Sequence, residues 1–335
     1  MIRVAIDAMG GDRAPEEVIA GALEARSRDV EPILVGPRGL DTGGLTLVEA
    51  PQRIAMDEKP ADAVRAKPDS SLVRACAAVG AGEADAVVSA GNTGAMLAAG
   101  LLHIRRLRGV NRPGIAVVIP SRRGASVLID SGANADARPE HLLQFAHMGS
   151  VFAAEILGRR RPDVRLLSIG EEPEKGNQLT LEAHALLTAA NGLNFLGNTE
   201  GRSLLEGAAD VVVCDGFTGN IVLKLLEGTI RAVLDALREE ITASRRGRIG
   251  GLLIRPAARA LRDRLDPDTY GGAYLLGLRG LAVIAHGNSS RKAIANAIRL
   301  AARGVEQDVT GKLRKRLEQV VLESARPEVP TGKAR

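Results

Sequence analysis

One local pattern constrains this chain more than any other: a strand that ends in an acid, a glycine-rich turn and the start of a helix. Residues 209–214 form a β-branched run that is long enough for a buried strand and too short for a helix. Asp215 and the turn GFTGN follow, and apolar residues recur at helical spacing from Ile221 onward. Such a unit offers free backbone N–H groups and a positive helix end to an anion. The pattern therefore predicts an anion-binding α/β protein.

A second copy of this pattern lies earlier in the chain. Residues 84–97, ADAVVSAGNTGAML, share the letters AD-x-VV-x-x-G-x-TG with the stretch that starts at Ala209. Two copies cannot form a solenoid, so we interpret them as duplication of an α/β half. Strand-like and helix-like segments alternate along the rest of the chain, which predicts a mostly parallel sheet covered by helices on both faces. Ligands of such sheets bind outside the carboxyl ends of the strands.

Composition narrows the possible partners. A chain of 335 residues can bury a full core as one large or two fused domains. The formal net charge of +5 favours acidic partners such as phosphate esters, an acidic carrier protein or an anionic membrane surface. Nucleic acid is disfavoured, because no Trp, two Tyr and four Phe leave few rings for base stacking. Two cysteines in apolar surroundings and a first strand without signal-peptide anatomy predict a cytoplasmic protein.

Several common cofactor motifs are missing from the sequence. No GxGxxG follows a strand, no GxxxxGK[ST] occurs, and HExxH and CxxC are absent. The five histidines are scattered, so we expect neither a metal nor a nucleotide cofactor. His141 and His147 are interpreted as helix-surface or core groups rather than ligands. Cys214 is either a thiol nucleophile or a small buried residue at a strand end, and the second interpretation is favoured.

The candidate site residues follow predicted strands at their carboxyl ends. We assign phosphate or substrate binding to polar and glycine residues of these turns: Asp7, Gly10, Gly11, Asn92, Thr93, Asn134, Asp215, Thr218, Asn220 and Ser289. Three further residues are assigned to catalysis: Lys175, Asn177 and His286. Lys175 follows a predicted strand at 164–168, and a solvated salt bridge with the acidic residues before it is the alternative. Arg291 and Lys292 fall in the first turn of a helix, where the dipole disfavours cations, which indicates either a bound anion or exposure to water.

A basic amphipathic helical segment is predicted at residues 241–268. At about 100° per residue, arginines fall on one face and apolar residues on the other. The arginines are Arg248, Arg255, Arg259 and Arg262, and the apolar residues are Ile249, Leu253, Ala257, Ala260, Leu261 and Leu265. Such a segment binds an anionic membrane surface or forms a dimer contact, and both interpretations stay open. Pro256 predicts a break or a helical hairpin at that position.

A series of motifs occurs in the order of a known family. They are IDAMGGD at 6–12, SAGNTGA at 89–95, DSGAN at 130–134 with QFAHMG at 144–149, IGEEPEKGN at 169–177, GNTEGR at 197–202, DGFTGN at 215–220, and YGGAYLLGL at 270–278 with HGNSS at 286–290. From residue 1 to about residue 305, the chain closely resembles the bacterial phosphate acyltransferase (PlsX) family.

The resemblance implies a three-layer α/β fold of the isocitrate and isopropylmalate dehydrogenase type, kin to phosphotransacetylases. It implies one phosphate acyltransferase domain over residues 1–335, with a mostly parallel sheet and a helical protrusion. The implied reaction moves a fatty acyl group from acyl carrier protein to inorganic phosphate, and the acyl phosphate enters phospholipid synthesis. The resemblance also implies a homodimer that binds the membrane peripherally, beside a downstream glycerol-3-phosphate acyltransferase.

The residues fit this chemistry. Phosphate attacks a thioester carbonyl, so the site must hold an oxyanion nucleophile and stabilise a second developing negative charge. The thiol leaving group has a pKa of about 8.5, so backbone N–H groups, a lysine and amide side chains can carry most of the catalysis without a covalent intermediate. The alternatives are an acyltransferase that uses coenzyme A thioesters and a non-catalytic membrane scaffold for the next acyltransferase. A dehydrogenase rests on fold analogy alone and lacks a nucleotide fingerprint.

Overall fold

The structure is a computed structural model that describes residues 1–122, 124–265, 269 and 271–324. Its strands are β1 Ile2–Asp7, β2 Val30–Gly36, β3 Thr46–Glu49, β4 Ala86–Ser89, β5 Gly114–Ser121, β6 Gly124–Ile129, β7 Asp163–Leu167, β8 Asn194–Thr199, β9 Val211–Val213, β10 Ala273–Leu276 and β11 Leu281–Ile284. Its α-helices are α1 Glu16–Ala25, α2 Pro60–Ala66, α3 Ser71–Ala81, α4 Thr93–Ala99, α5 Pro139–Leu157, α6 Gln178–Ala189, α7 Gly216–Ala243, α8 Arg245–Leu265, α9 Arg291–Glu306 and α10 Val309–Ser324.

These strands form a single sheet in the order β3-β2-β1-β4-β11-β10-β5-β6-β9-β7-β8. The first five strands of this order run parallel to one another, and so do the last four. Between these blocks, β10 is antiparallel to both β11 and β5, and β5 is antiparallel to β6. The predicted mostly parallel sheet is confirmed. The last four strands nevertheless run in the opposite sense to the first five.

Helices cover both faces of the sheet, so inner strands are buried on both sides. On β4, Val88 packs into one apolar core and Val87 into the other. On β9, Val213 packs into the first core and Val212 into the second. Helices α1, α5, α6, α9 and α10 contribute to the first core, and α2, α3, α4 and α7 contribute to the second. The predicted three-layer α/β architecture is confirmed.

Helices α7 and α8 form a hairpin that carries the predicted basic segment. Ser244 separates the two helices: its backbone is extended, and its hydroxyl accepts from the amide of Gly247 over 2.9 Å. Pro256 instead lies inside α8, which continues to Leu265. The prediction of a break at Pro256 is wrong, and the reversal lies at the extended, capping Ser244 instead. Residues 266–268 of the predicted segment lie outside the described residues.

The hairpin directs the apolar face of α8 outward. Leu253 is 79% exposed, and Ile249 on the same face is also exposed. Helix α8 has no buried residue in its whole length. Across the described ranges, no helix is both long enough and apolar enough to span a bilayer.

Candidate active site

The first group of candidate residues lies where three neighbouring parallel strands end: β1, β4 and β11. Asp7 ends β1 and is only 3% exposed. Its Oδ1 accepts from Ser71 Oγ over 2.5 Å, and its Oδ2 accepts from Ser89 Oγ over 2.7 Å. Burial raises the pKa of Asp7, although the hydroxyls and nearby backbone amides partly oppose this. Both carboxylate oxygens therefore face protein hydroxyls, which tie β1 to α3 and β4.

Two glycines allow the loop after β1 to touch the loops after β4 and β11. A Cβ on Gly10 would lie 2.9 Å from the amide nitrogen of Gly91, closer than real Cβ contacts. Gly11 has a φ of +106°, which side chains of L-residues rarely tolerate. Beside it, the amide of Asp12 donates to the carbonyl of Gly287 over 2.7 Å. The structure brings these three strand ends together.

Asn92, Thr93 and Ser289 belong to the same group but differ in their surroundings. Asn92 caps α4 through Oδ1, and its Nδ2 donates to the carbonyls of Met56 and Glu58 over 3.0 and 3.1 Å. Thr93 is exposed at the start of α4. Ser289 is buried, and its hydroxyl has no hydrogen-bond partner among the residues described. Asn92 thus also has a structural role, in holding α4 to the loop before α2.

An acidic residue that the sequence did not predict lies beside His286. Nε2 of His286 lies 3.2 Å from Oε1 of Glu227, and Oε2 of Glu227 accepts from Nζ of Lys224 over 2.9 Å. Burial acts to raise the pKa of Glu227, but His286 and Lys224 outweigh it and hold the pKa at about 2. Glu227 is therefore ionised at neutral pH. The spacing of Lys224 and Glu227 on one helix face is visible in the sequence, but nothing there links them to a distant histidine.

A cavity of about 1600 Å³ opens between His286 and the α7–α8 hairpin. Its cationic lining outnumbers its acidic lining by nine residues to four. The cationic residues are Arg13, Lys224, Arg231, Arg238, Arg248, Arg255, Arg259, Arg262 and Lys292. The arginines predicted on one face of the basic segment thus point into the cavity, and leucine and isoleucine side chains of both helices share its wall.

The second group lies where β6 and β9 end. Asp130 is fully buried, which raises its pKa although the amides of the following loop oppose this. Its Oδ2 accepts from the amide and from Nδ2 of Asn134, each over 2.8 Å. The carbonyl of Asn134 in turn accepts from the amide of Gly216 over 2.8 Å. Asp215 caps α7 through the amide and hydroxyl of Thr218, at 2.9 and 2.7 Å. The structure therefore brings Asn134, Asp215 and Thr218 together.

Asn220 and Cys214 border this second group. Asn220 is exposed on α7, and a Cβ added to Gly132 would lie 3.7 Å from its side chain. Cys214 is buried, with Sγ 3.4 Å from the carbonyl oxygen of Asp130. Burial raises the pKa of this thiol, and the carboxylates of Asp130 and Asp215 raise it further. The favoured interpretation of Cys214 as a small buried residue is confirmed.

The third group is the loop between β7 and α6. Asn177 caps α6, where its Oδ1 accepts from the amide of Thr180 over 2.9 Å. The carbonyl of Lys175 accepts from Ser168 Oγ over 2.9 Å, so the loop is held to the end of β7. The Lys175 side chain is exposed, and its ammonium forms no ion pair with any residue in the described ranges. The alternative of a salt bridge to the neighbouring glutamates is therefore wrong.

Helix α7 connects the first and second groups. It starts at Asp215 in the second group and reaches Glu227 in the first, a distance of about 18 Å along its axis. Among the described residues, no hydrogen bond or ion pair joins the three groups directly. The structure therefore brings together the residues within each group, and α7 sets the spacing between two of the groups.

A side chain of the protein is the anion beside Arg291, one of the two possibilities that the sequence left open. Glu17 of α1 accepts from the backbone amide of Arg291 over 2.7 Å and from its guanidinium Nη2 over 2.6 Å. Lys292, the next residue, lines the cavity. The first turn of α9 is therefore stabilised by an internal carboxylate, and a bound anion is not needed to explain Arg291.

The two histidines of α5 have structural roles, as expected. Nδ1 of His141 accepts from the amide of Arg138 over 3.1 Å at the start of the helix. His147 is buried, and its Nδ1 accepts from Nε of Arg316 in α10 over 3.2 Å. Burial and the neighbouring guanidinium lower the pKa of His147 to about 3, so this ring stays neutral.

Comparison with known proteins supplies the family. The family model described as "Fatty acid synthesis protein" matches residues 2–312. The phosphate acyltransferase of Desulfitobacterium hafniense (strain Y51) is 48% identical over 328 residues, which cover 95% of this chain and 98% of that protein. The phosphate acyltransferase of Heliobacterium modesticaldum is 46% identical over 319 residues, which cover 92% of this chain and 95% of that protein.

A solved structure supports the fold. The EutD phosphotransacetylase from Staphylococcus aureus has a TM-score of 0.60 at 18% identity, over 91% of this chain and 94% of that one. At this identity the likeness shows the fold alone, and the predicted kinship in fold with phosphotransacetylases is confirmed. The sequence relatives also show the family, because they are 46–48% identical to this chain over nearly their whole length. The chain belongs to the phosphate acyltransferase family of fatty acid synthesis proteins.

Proposed function

We propose that this phosphate acyltransferase takes its fatty acyl group from acyl carrier protein and transfers it to inorganic phosphate, for use in phospholipid synthesis. Membership of the family makes the chain an acyltransferase enzyme. The carrier-bound donor, the direct attack by phosphate and the independence from metal or nucleotide are the proposal. The cavity beside His286 is the observation that carries it.

The size and lining of this cavity suit a long acyl chain delivered by an acidic carrier. Its volume of about 1600 Å³ exceeds the roughly 300–1,000 Å³ of common small-molecule pockets. Leucine and isoleucine side chains on α7 and α8 offer an apolar wall for the chain. The excess of lysine and arginine around the same space attracts an acidic protein and orients it during encounter.

The reaction requires one proton to move. When phosphate dianion attacks the thioester carbonyl, a C–O bond forms, the C–S bond breaks, and the phosphate proton passes to the departing sulfur. We assign this transfer to His286, because its ring lines the cavity and imidazole is the commonest general acid and base in proteins. No bond to the protein forms at any step, consistent with a Cys214 thiol whose pKa burial raises.

We assign the phosphate and the developing oxyanion to residues of the second and third groups, chiefly Lys175, Asn177, Asn134 and Asn220. In a flat sheet, the reversal between the two strand blocks would put these residues at the edge opposite His286. Sheets twist by about 20–25° per strand, so the six steps from β1 to β9 rotate the strand direction by roughly 120–150°. A rotation of this size would turn the two sets of carboxyl ends towards the same side, as a shared cleft requires.

Two exposed apolar surfaces support the proposed membrane association and homodimer. On α8, Leu253 and its exposed neighbours suit insertion into a membrane interface. At the start of α7, Phe217, Ile221 and Leu225 are at least half exposed and recur every four residues along one side. We assign this second surface to contact with another copy of the chain. An anionic membrane would place the enzyme beside the glycerol-3-phosphate acyltransferase that consumes its product.

The decisive test supplies purified protein with long-chain acyl-[acyl carrier protein] and inorganic phosphate, and measures acyl phosphate by trapping with hydroxylamine. We expect product without added metal or nucleotide, and no effect of a chelator. A parallel reaction contains the same acyl chain on coenzyme A. Preference for the coenzyme A thioester would favour a phosphotransacetylase-like activity, and a requirement for Mg²⁺ or NAD would contradict the mechanism. Binding to membranes with no turnover of either thioester would favour a scaffold.

A further inference from the structure

A carboxylate on α7 and a histidine at the end of β11 form a sheltered pair. The side chains of His286 and Glu227 are 32% and 17% exposed, so both border the cavity without being fully solvated. A partly buried charge is screened less by salt than an exposed one, which strengthens its effect on a neighbouring ring. The pair is therefore less exposed than a fully solvated surface ion pair.

The contact distinguishes the two ring nitrogens of His286. Nε2 lies 3.2 Å from Oε1 of Glu227, an ion-pair distance at which the two atoms do not meet hydrogen-bond geometry. A ring lone pair on Nε2 would face the ionised carboxylate and be repelled by it, so the contact favours a hydrogen on Nε2. In the neutral ring the lone pair then lies on Nδ1, which has no hydrogen bond to any residue the structure describes. Lys224 holds the other carboxylate oxygen at 2.9 Å. The carboxylate of Glu227 therefore cannot rotate away from the ring without losing that contact.

We propose that Glu227 is the positioning residue of His286, which keeps Nε2 protonated and Nδ1 free to exchange a proton with the substrates. This inference rests on the proposed function, which assigns the proton transfer to His286. Nδ1 takes the proton from the attacking phosphate oxygen as the C–O bond forms, and returns it to sulfur as the C–S bond breaks. The ring is positively charged between these two events, and the Glu227 carboxylate stabilises that charge.

Kinetics of matched variants test this role. Glu227→Gln preserves size and removes the charge, so we expect kcat to fall by about ten- to a hundredfold while KM for phosphate changes by less than about threefold. Glu227→Asp keeps the charge and should recover part of the rate. Glu239→Gln, on an exposed part of the same helix outside the cavity, serves as the control and should keep wild-type kinetics. Circular dichroism and thermal melting check that each variant folds.

A double-variant cycle separates positioning from an independent effect. If Glu227 acts through His286, Glu227→Gln together with His286→Ala should be no slower than His286→Ala alone. The proposal would be overturned if the double variant lost rate by the product of the two single losses. It would also be overturned if Glu227→Gln kept the wild-type kcat. If His286→Ala itself keeps the full rate, the assignment of His286 in the proposed function fails and Glu227 loses its role with it.

A spectroscopic measurement does not depend on turnover. In protein labelled with ¹⁵N-histidine, the neutral His286 ring should be the Nε2–H tautomer, and Glu227→Gln should shift it towards a mixture. An Nδ1–H ring in the wild-type protein would overturn the proposal. Absence of acyl phosphate formation by the wild-type enzyme would refute the proposed function and leave this measurement to decide the pairing alone.

Discussion

The hydroxyl of Ser71 donates to the carboxylate of Asp7 over 2.5 Å, inside the core where β1 ends against α3. Ser89 of β4 donates to the other carboxylate oxygen over 2.7 Å, so Asp7 joins the end of β1 to both β4 and α3. Burial is the largest influence on this carboxyl and raises its pKa. Folding therefore raises the pH at which Asp7 loses its proton.

These contacts predict that Asp7→Asn increases the free energy of unfolding relative to wild type by an amount that grows with pH. Because the folded pKa is raised, the stability that Asp7 contributes is complete below its unfolded value of about 3.8 and is lost as pH rises through the folded pKa. The asparagine variant lacks this loss, so its free energy of unfolding should increase relative to wild type as pH rises. Urea unfolding at pH 4, 5, 6, 7 and 8 measures the difference. A difference that does not change with pH would contradict the buried, raised carboxyl.

Lys175→Ala should fold normally and lose at least about a hundredfold in turnover or in apparent phosphate affinity. A charge that acts on the transition state costs roughly 10²–10³-fold when removed, whereas removal of a lysine that is only solvated should barely change turnover. Rate against phosphate concentration separates the two. Lys315→Ala, on the exposed side of α10, is the control and should match wild type. Near-wild-type kinetics for Lys175→Ala would return this lysine to the solvated surface.

Cys214→Ala should keep most of the activity. Its thiol is buried against the carbonyl of Asp130, and the pKa is raised, so the thiolate needed for attack on a thioester is disfavoured. Mass spectrometry during the first turnovers should find no acyl-enzyme. A covalent acyl adduct on Cys214, or a loss beyond about a hundredfold (about 2.7 kcal/mol), would instead establish a two-step route through the enzyme.

Leu253→Glu together with Leu261→Glu should release the protein from anionic vesicles and leave soluble turnover largely unchanged. Both leucines are exposed on α8, and charge on this face opposes burial in the interface. Because the arginines of α8 line the cavity, apolar insertion should carry most of the binding and salt should weaken it only in part. Vesicle flotation measures the bound fraction.

The control for this prediction uses exposed leucines elsewhere. Leu102→Glu together with Leu181→Glu lies outside the hairpin and should leave flotation unchanged. If the α8 variant is instead an inactive monomer by analytical ultracentrifugation, the face is a dimer contact rather than a membrane contact.

Local sequence was sufficient for the strand–turn–helix units. Asn92, Asn177 and Asp215 were expected in turns after strands, and each caps the helix that follows. These contacts join residues three apart, so the information lies within one turn of chain. The alternation of strands and helices is also a local signal, and it predicted a sheet covered on both faces. Strands that are buried on both faces are short β-branched runs, which the sequence shows directly.

Prediction failed where two local signals competed or where partners came from distant elements. Pro256 is a strong breaker in general, yet α8 continues through it, and the hairpin turn is made at Ser244 instead. The acid beside His286 could not be found from spacing, since α7 carries Glu227 to β11 only after the sheet is assembled.

The sequence by itself determined the elements, their caps, the glycine-rich turns and, through motifs in order, the family. Only the tertiary structure decided which carboxylates face hydroxyls, which pair with cations and which arginines line the cavity. Asp7 and Glu227 show the physical reason. Each is a single acid in the sequence, but burial among hydroxyls raises the pKa of the first, while His286 and Lys224 hold that of the second at about 2. The charge state of a carboxyl depends on neighbours that the packing of the sheet and α7 brings together.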